Sequence, residues 1–426
     1  MKIPLRLVKA LAVLGLGTVL LAGCSQSTVV TATPTSASSI QPTATPTIAG
    51  GTYVFIRNGN LWLRTGFSRA HSFTTLNLPD NIGTWGSFSW SPDHTRFAFA
   101  LRANPIAPGD GNSSSVQGTG TLYIGDVSTG AIRGLAGSTL AVKIPLQGQH
   151  TAWIDNNNLL ITQNGTVQKL NLGQGPGLIG SNATISAVTG PRTVWDIAYH
   201  NDTLFYSTVA NLQSNGTGTA ELHSFTLTAS PPIDKVIATL GSVTLLATDC
   251  GGFICPFDTS TPFVPFAWAI SANGKQVTYQ TGTLPGNKDA TAIAGSNLFY
   301  TTQVDRSQPA TTIFTSVPQP TAQVSLTFAP NGQQIVLALV HPAQTLFGPY
   351  IQIIGNSAVR QLAVPDTFVN KVVLGGPVSW SPDGLGVSIT AQPIDSTTTK
   401  PTALTFTLTG QSAITETNAL QLSWAS

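Results

Sequence analysis

The stretch Ser89-Trp90-Ser91-Pro92-Asp93 returns near the far end of the chain as Ser379-Trp380-Ser381-Pro382-Asp383-Gly384, and degraded copies lie between the two. Taking the large apolar residue before each turn as an anchor, Trp90, Ile270, Phe328 and Trp380 are followed three positions later by Asp93, Asn273, Asn331 and Asp383. Positions seven and nine after each anchor are again apolar: Phe97 and Phe99, Val277 and Tyr279, Ile335 and Leu337, Val387 and Ile389. This alternation spells strand, turn, strand. Pro92, Asp93, Pro382 and Asp383 suit early turn positions, while Gly274, Gly332 and Gly384 supply a positive φ at no steric cost. His94 stands where the other copies carry that glycine, so the pattern is tolerant. A looser copy follows Ile197, with Asn201-Asp202 as its turn and Leu204 and Tyr206 behind it. Trp153 fits with a turn one residue shorter, before Leu159 and Ile161.

The anchors at 90, 153, 197, 270, 328 and 380 are separated by 63, 44, 73, 58 and 52 residues. Spacings of this size suit four short strands plus variable loops, the period of β-propeller blades. Second hairpins follow several anchors, as in Thr121 to Ile124 with Ala131 to Arg133, and Tyr350 to Ile353 with Val359 to Leu362; they are expected to form the outer pair of each blade. The final residues, Leu420 to Ser426, read as an anchor strand that stops, and Thr52 to Ile56, the turn Asn58-Gly59 and Asn60 to Leu63 read as its continuation. The expectation is an all-β, seven-bladed propeller closed by pairing of the C-terminal strand with the N-terminal blade. Six or eight blades stay open, because 171–190 and 280–325 are hard to parse.

The Trp-Ser-Pro-Asp-Gly strand-turn followed by an apolar pair resembles the repeat of TolB-like propellers, which are related to WD-repeat propellers and are also represented in the amino-terminal propellers of prolyl oligopeptidase-type enzymes. The copies at 89–93 and 379–384 carry the likeness most fully, and it extends over 51–426. It implies a fold, and protein partners in the cell envelope; function does not follow from fold.

Lys2, Arg6 and Lys9 precede an uncharged apolar run from Ala10 to Ala22, ending in Leu21-Ala22-Gly23-Cys24. That is an export signal, too short for a dependable membrane span. The last four residues match the bacterial lipobox, which implies cleavage before Cys24 and acylation of that cysteine; an ordinary export signal with an incidental cysteine is the alternative. Residues 24–50 are chiefly Ser, Thr, Pro, Ala and Gln, without a charged side chain, and are expected to be an extended tether. The expected division is therefore 1–23 signal, 24–50 lipidated Cys and linker, 51–426 propeller, placing the protein outside the cytoplasm on a bacterial membrane.

The 426 residues carry 19 Lys and Arg against 17 Asp and Glu; without the three basic residues of the signal the balance is 16 to 17. Nothing in this charge or its distribution suggests nucleic acid. Charged residues are only 8% of the chain, against a usual ~25%, and Glu221 and Glu416 are the only glutamates. Acid unfolding proceeds largely through carboxylates, so an acid-tolerant head is expected. With Cys24 assigned to lipid, Cys250 and Cys255 remain around a Gly-Gly loop and are expected to form a disulfide; a metal pair or a redox motif lacks the neighbouring ligands or the spacing.

No nucleophile elbow, phosphate loop, His-Glu-x-x-His or EF-hand pattern appears, nor is there room for an α/β-hydrolase domain. The histidines at 71, 94, 150, 200, 223 and 341 are scattered and read as surface or turn residues. Trp90, Trp153, Trp380 and Trp424 should wedge between blades; Trp62, Trp195 and Trp268 are less determined, and Trp85, between small residues, could stack on a sugar. Asp155, Asp196, Asp249 and Asp258 could face a central channel, though no pair is singled out. The expectation is a monomeric, non-catalytic scaffold that needs no metal or cofactor. It would bind an envelope protein or glycan through long loops such as Ala103 to Thr121 and Gln280 to Ser296. The alternative is a polysaccharide-binding or polysaccharide-active propeller using the channel mouth.

Overall fold

The computed structural model describes residues 50–73, 88–101, 119–134, 136–137, 140–141, 143–145, 149–163, 166–172, 181–184, 193–211, 213, 217–231, 233–244, 266–284, 294–315, 324–339, 348–394 and 400–425. Among them every regular element is a strand. Cys24, Cys250, Cys255, Trp85, Asp249, Asp258 and His341 lie outside the described residues.

Each recurring unit is a four-strand antiparallel meander that begins at an anchor. The third sheet is the plainest, running Thr151–Trp153, Asn158–Gln163, Thr166–Asn171 and Ser181–Thr184 in spatial as in chain order. The penultimate sheet, Val324–Phe328 to Val359–Gln361, and the last, Val372–Trp380 to Ser412–Thr417, repeat it. In the second sheet, strand Thr119–Asp126 is flanked on its outer side by both Ala131–Gly134 and Lys143–Pro145. The first sheet holds Thr52–Arg57, Asn60–Thr65 and His71–Ser72, and its innermost strand is Leu420–Trp424 from the other end of the chain. These five sheets stand apart. Among the described residues two sheets remain, a two-stranded pair of Ala136–Gly137 with Leu140–Ala141 and one of eight strands: a leading half, Thr193–His200 through Ile233–Thr244, joined by one parallel pairing to a trailing half, Trp268–Ile270 through Thr311–Ile313.

Alternation of faces along the second strand of each sheet explains how the sheets pack. On Arg96–Leu101, Phe97 and Phe99 point toward Val54, Ile56, Leu61 and Leu63 of the first sheet. Ala98 and Ala100, on the opposite face, meet Trp153, Leu159 and Ile161 of the third. Both faces are thus buried, and the period-two pattern separates large from small rather than core from solvent. Burial of both faces recurs round the molecule, whether or not the two faces differ in size. Leu204 and Tyr206 pack on Leu160 and Val167, Val277 and Tyr279 on Phe205 and Leu222, Ile335 and Leu337 on Phe299 and Ile313, and Val387 and Ile389 on Val336 and Ala338. A seventh apolar cluster joins the last sheet to the first through Ala403, Ala419, Leu422, Trp424, Tyr53 and Phe55.

The ends of the chain meet as the repeat demands. Tyr53 pairs with Trp424 and Val54 with Ser423, with a bulge before Ile56 and Leu420. Ala425 N donates to Thr52 O at 2.8 Å, and the Tyr53 and Trp424 rings lie 4.5 Å apart. Successive innermost strands are also linked directly. The Trp90 indole donates to Ser423 Oγ (3.2 Å), the Trp153 indole to Ser89 O (3.0 Å), Val378 N to Ser325 Oγ (3.3 Å) and Trp424 N to Ser379 Oγ (2.8 Å). The Trp424 indole reaches Ser388 Oγ on the last sheet at 2.8 Å.

Candidate functional site

The repeated acids come first, because acids recur at active sites for reasons of chemistry and at turns for reasons of geometry. Asp93 Oδ1 accepts from Ser91 Oγ (2.7 Å) and Thr95 N (3.1 Å), and Asp383 Oδ1 from Ser381 Oγ (2.5 Å) and Leu385 N (3.0 Å). Asn273 Oδ1 takes the same bonds from Ser271 Oγ and Lys275 N, and Asn331 Oδ1 accepts from Gln333 N. A neutral amide does the work of the carboxylate, so charge is not what the position uses. His94 at φ 58° matches Gly274, Gly332 and Gly384 at φ 68°. Burial raises the Asp93 carboxyl, but the bonds from Ser91 and Thr95 outweigh it and hold it below its ordinary value.

The channel candidates separate. Asp155 sits in the turn after Trp153, where its Oδ1 accepts from Asn157 N and Asn158 N at 2.8 Å and so holds that turn. Asp196 lies on the innermost strand Thr193–His200, at a bulge between Val194 and Ile197, and is only 8% exposed. Its Oδ1 accepts from Gln149 N at 2.7 Å, and Gln149 O accepts from Ile197 N at 2.9 Å, which binds this strand to the one before it. Burial pushes the Asp196 carboxyl up to about 7, against the single opposing bond from Gln149 N.

Two charged clusters were not visible in the sequence, and each contains one of the two glutamates. Glu416, 3% exposed on the outer strand of the last sheet, is gripped from the first sheet by Tyr53 OH (2.8 Å), Arg57 Nη2 (2.5 Å) and Arg64 Nε (2.6 Å). Burial, then the bond to Glu416, raises the Tyr53 phenol above its ordinary range. In the leading half of the eight-stranded sheet, His223 Nε2 lies 3.1 Å from Glu221 Oε2 and His223 Nδ1 3.0 Å from Asp234 Oδ1, while the Tyr206 hydroxyl donates to Asp234. The imidazole stacks on the Tyr206 ring at 5.0 Å. His223 is therefore buried among partners rather than a surface residue, and so is His150, whose Nδ1 lies 2.9 Å from Thr162 Oγ1. Glu221 and His223 share a strand face by their spacing of two. Asp234 arrives only through the hairpin, which no local pattern announces. Among the described residues, no group of three or more His, Cys, Asp or Glu side chains could hold a metal ion.

Connection lengths divide the two ends of the strands. Links from innermost to second strand are tight: 91–95, 154–157, 201–202, 271–275, 329–333 and 381–385; most links from third to outer strand, such as 66–70, 127–130 and 408–411, are nearly as short. Links from second to third strand and from outer strand to the next sheet leave from the opposite end. They include 102–118, 245–267, 285–293, 340–349, 362–371 and 394–401, with short exceptions at 58–59, 164–165 and 418–419. One end is a turn face and the other a connection face. Both loops singled out in the sequence belong to the connection face, shortened by strand growth to 102–118 and 285–293. The Cys250 to Cys255 segment falls within 245–267.

No family model and no curated protein matches the chain. Among solved structures, a prolyl endopeptidase superposes with a TM-score of 0.51 at 14% identity, over 90% of this chain and 50% of its own. The head has a β-propeller fold. The β-propeller domain of the Trilobed protease from Pyrococcus furiosus, described as having an open velcro topology, matches at TM-score 0.47 and 11% identity over 86% of this chain and 94% of that one. An oligogalacturonate lyase in complex with manganese matches at 0.44 and 12%, over 87% and 86%. The likeness is one of fold, and a propeller by itself decides no activity.

Proposed function

We propose that the protein is a non-catalytic, lipid-anchored, extracytoplasmic scaffold of seven blades that binds an envelope protein through its connection face. The observation that carries this reading is the uneven distribution of long connections, the longest of which, 102–118 and 245–267, leave from one face, while the opposite face consists mainly of short turns, with 172–180 its longest link. A rigid closed ring can vary such connections without disturbing its cores. For the blade count, the eight-stranded sheet divides at its parallel pairing into two meanders, and seven inter-sheet clusters run in unbroken succession from the first sheet back to itself. The TolB-like repeat and the lipobox at Cys24 support the envelope location.

A second reading, action on polysaccharide, is favoured only by Asp196. A carboxyl held near neutrality can act as a general acid, but glycoside hydrolysis also needs a second carboxyl at a set distance. The test is photo-crosslinking of the exported protein in its own envelope, comparing wild type with variants in which 102–118 or 285–293 is replaced by a short turn. Loss of one specific adduct with the melting temperature retained supports the scaffold. Adducts unaffected by either replacement, or glycan turnover that vanishes in Asp196→Asn, would defeat it.

A further inference from the structure

We propose that the head rests on its membrane by the turn face, with Phe67, Arg69 and Leu385 touching anionic phospholipid, so that the connection face points away from the lipid toward its partner. This rests on the lipid-anchored reading above.

Residues 1–49 join the head at Gly50, between two turns. A Cβ on Gly50 would lie 3.0 Å from the Phe67 ring, and one on Gly51 would lie 3.0 Å from Pro382. The turns on either side carry the two most exposed large apolar side chains among the described residues, Phe67 at 78% and Leu385 at 60%. Neither turn is loose. Ser68 N and Oγ both donate to Thr65 O, at 3.1 and 2.6 Å, and Leu385 N donates to Asp383 Oδ1 at 3.0 Å.

The repeat supplies an internal comparison. Five positions after the anchor, the other copies have Thr95, Lys275 and Gln333; only the copy beside the tether has an apolar residue, Leu385. Arg69, exposed two residues beyond Phe67, makes no ion pair among the described residues. Apolar side chains at the boundary between headgroup and acyl chain, with a guanidinium at phosphate level beside them, are what an anionic lipid surface accommodates. An extended tether by itself permits any orientation. It also keeps the head at high local concentration over the lipid, so a weak contact suffices to orient it.

The test is amide hydrogen exchange on the full chain carried in vesicles of phosphatidylcholine and phosphatidylglycerol. The references are the head released by protease cleavage within the linker and the vesicle-borne double variant Phe67→Ser, Leu385→Gln, checked for an unchanged melting temperature. The expected result is exchange slowed by about threefold or more in peptides covering 64–70 and 381–386, only in the vesicle-borne wild type. Equal exchange in all three samples, or slowing confined to 362–371 or 394–401, overturns the orientation while leaving the anchor intact. A full chain that does not stay with the vesicles overturns the anchor and the orientation together.

Discussion

At the scale of the residue, the side chains repeated most often in this chain serve backbone geometry. Because Asn273 and Asn331 replace Asp93 and Asp383 at the same bonds, Asp93→Asn should leave stability nearly unchanged, whereas Asp93→Ala, which leaves Thr95 N unsatisfied by its present partner, should cost about 1 kcal/mol in a urea titration. Gly125 is a second such position. It pairs with Phe97 across the second sheet, and a Cβ there would stand 2.2 Å from the ring. Gly125→Ala should therefore destabilise the head by about 1–3 kcal/mol through a steric clash, whereas the same change at Gly130, where nothing lies within 4 Å, should cost about 1 kcal/mol from its positive φ alone. These turns were legible in the sequence because their chemistry is local: Pro, Asp and Gly within four residues fix the hydrogen bonds. His223 was not. Its two partners come from its own strand and from the far side of a hairpin, so only the folded register brings them together.

At the scale of the element, the strand Leu420–Trp424 is where the two ends of the chain become one sheet. Its pairing could be read from an anchor that lacked a following strand and from an opening hairpin that lacked an anchor. The charged clasp beside it could not, since Glu416 lies on the last sheet and its partners Tyr53, Arg57 and Arg64 on the first, at the other end of the chain. Removing one member of a buried ion cluster strands the others, and Glu416→Gln should cost on the order of 3 kcal/mol by thermal unfolding. Trp424→Ala removes both a core aromatic and the indole bond to Ser388, and should cost about 3–5 kcal/mol. If both variants melted like wild type, the seam would not be holding the ring.

At the scale of the whole molecule, pH dependence sums opposing contributions. The Asp196 carboxyl, raised to about 7 by burial, binds its proton more tightly in the folded than in the unfolded chain. Its contribution is therefore full below the unfolded value near 4 and is lost as pH rises through 7, an upper bound of about 4 kcal/mol. Asp93, Asp126 and Asp155 are held below their ordinary values by hydrogen bonds that outweigh their burial, so their contribution is present above that value and disappears only in stronger acid. The melting temperature should accordingly rise from pH 8 to a maximum at about pH 4–5 before falling. Asp196→Asn, which retains an acceptor for Gln149 N, should flatten the rise and be the more stable protein at pH 8. The small number of carboxylates suggested acid tolerance from composition alone; the upward slope toward acid depends on one bulge on one innermost strand, which composition does not reveal.

Seven packed meanders, as we propose, form a ring whose first and last strands are hydrogen-bonded to each other. Native-state hydrogen exchange of the amides in Leu420–Trp424 tests it most directly. A closed ring requires these amides to exchange only with the slowest class, through global unfolding, as do the central strands of the third sheet. Exchange through local fraying, orders of magnitude faster and insensitive to Glu416→Gln, would mean that the tail is not part of the first sheet and that the ring is open.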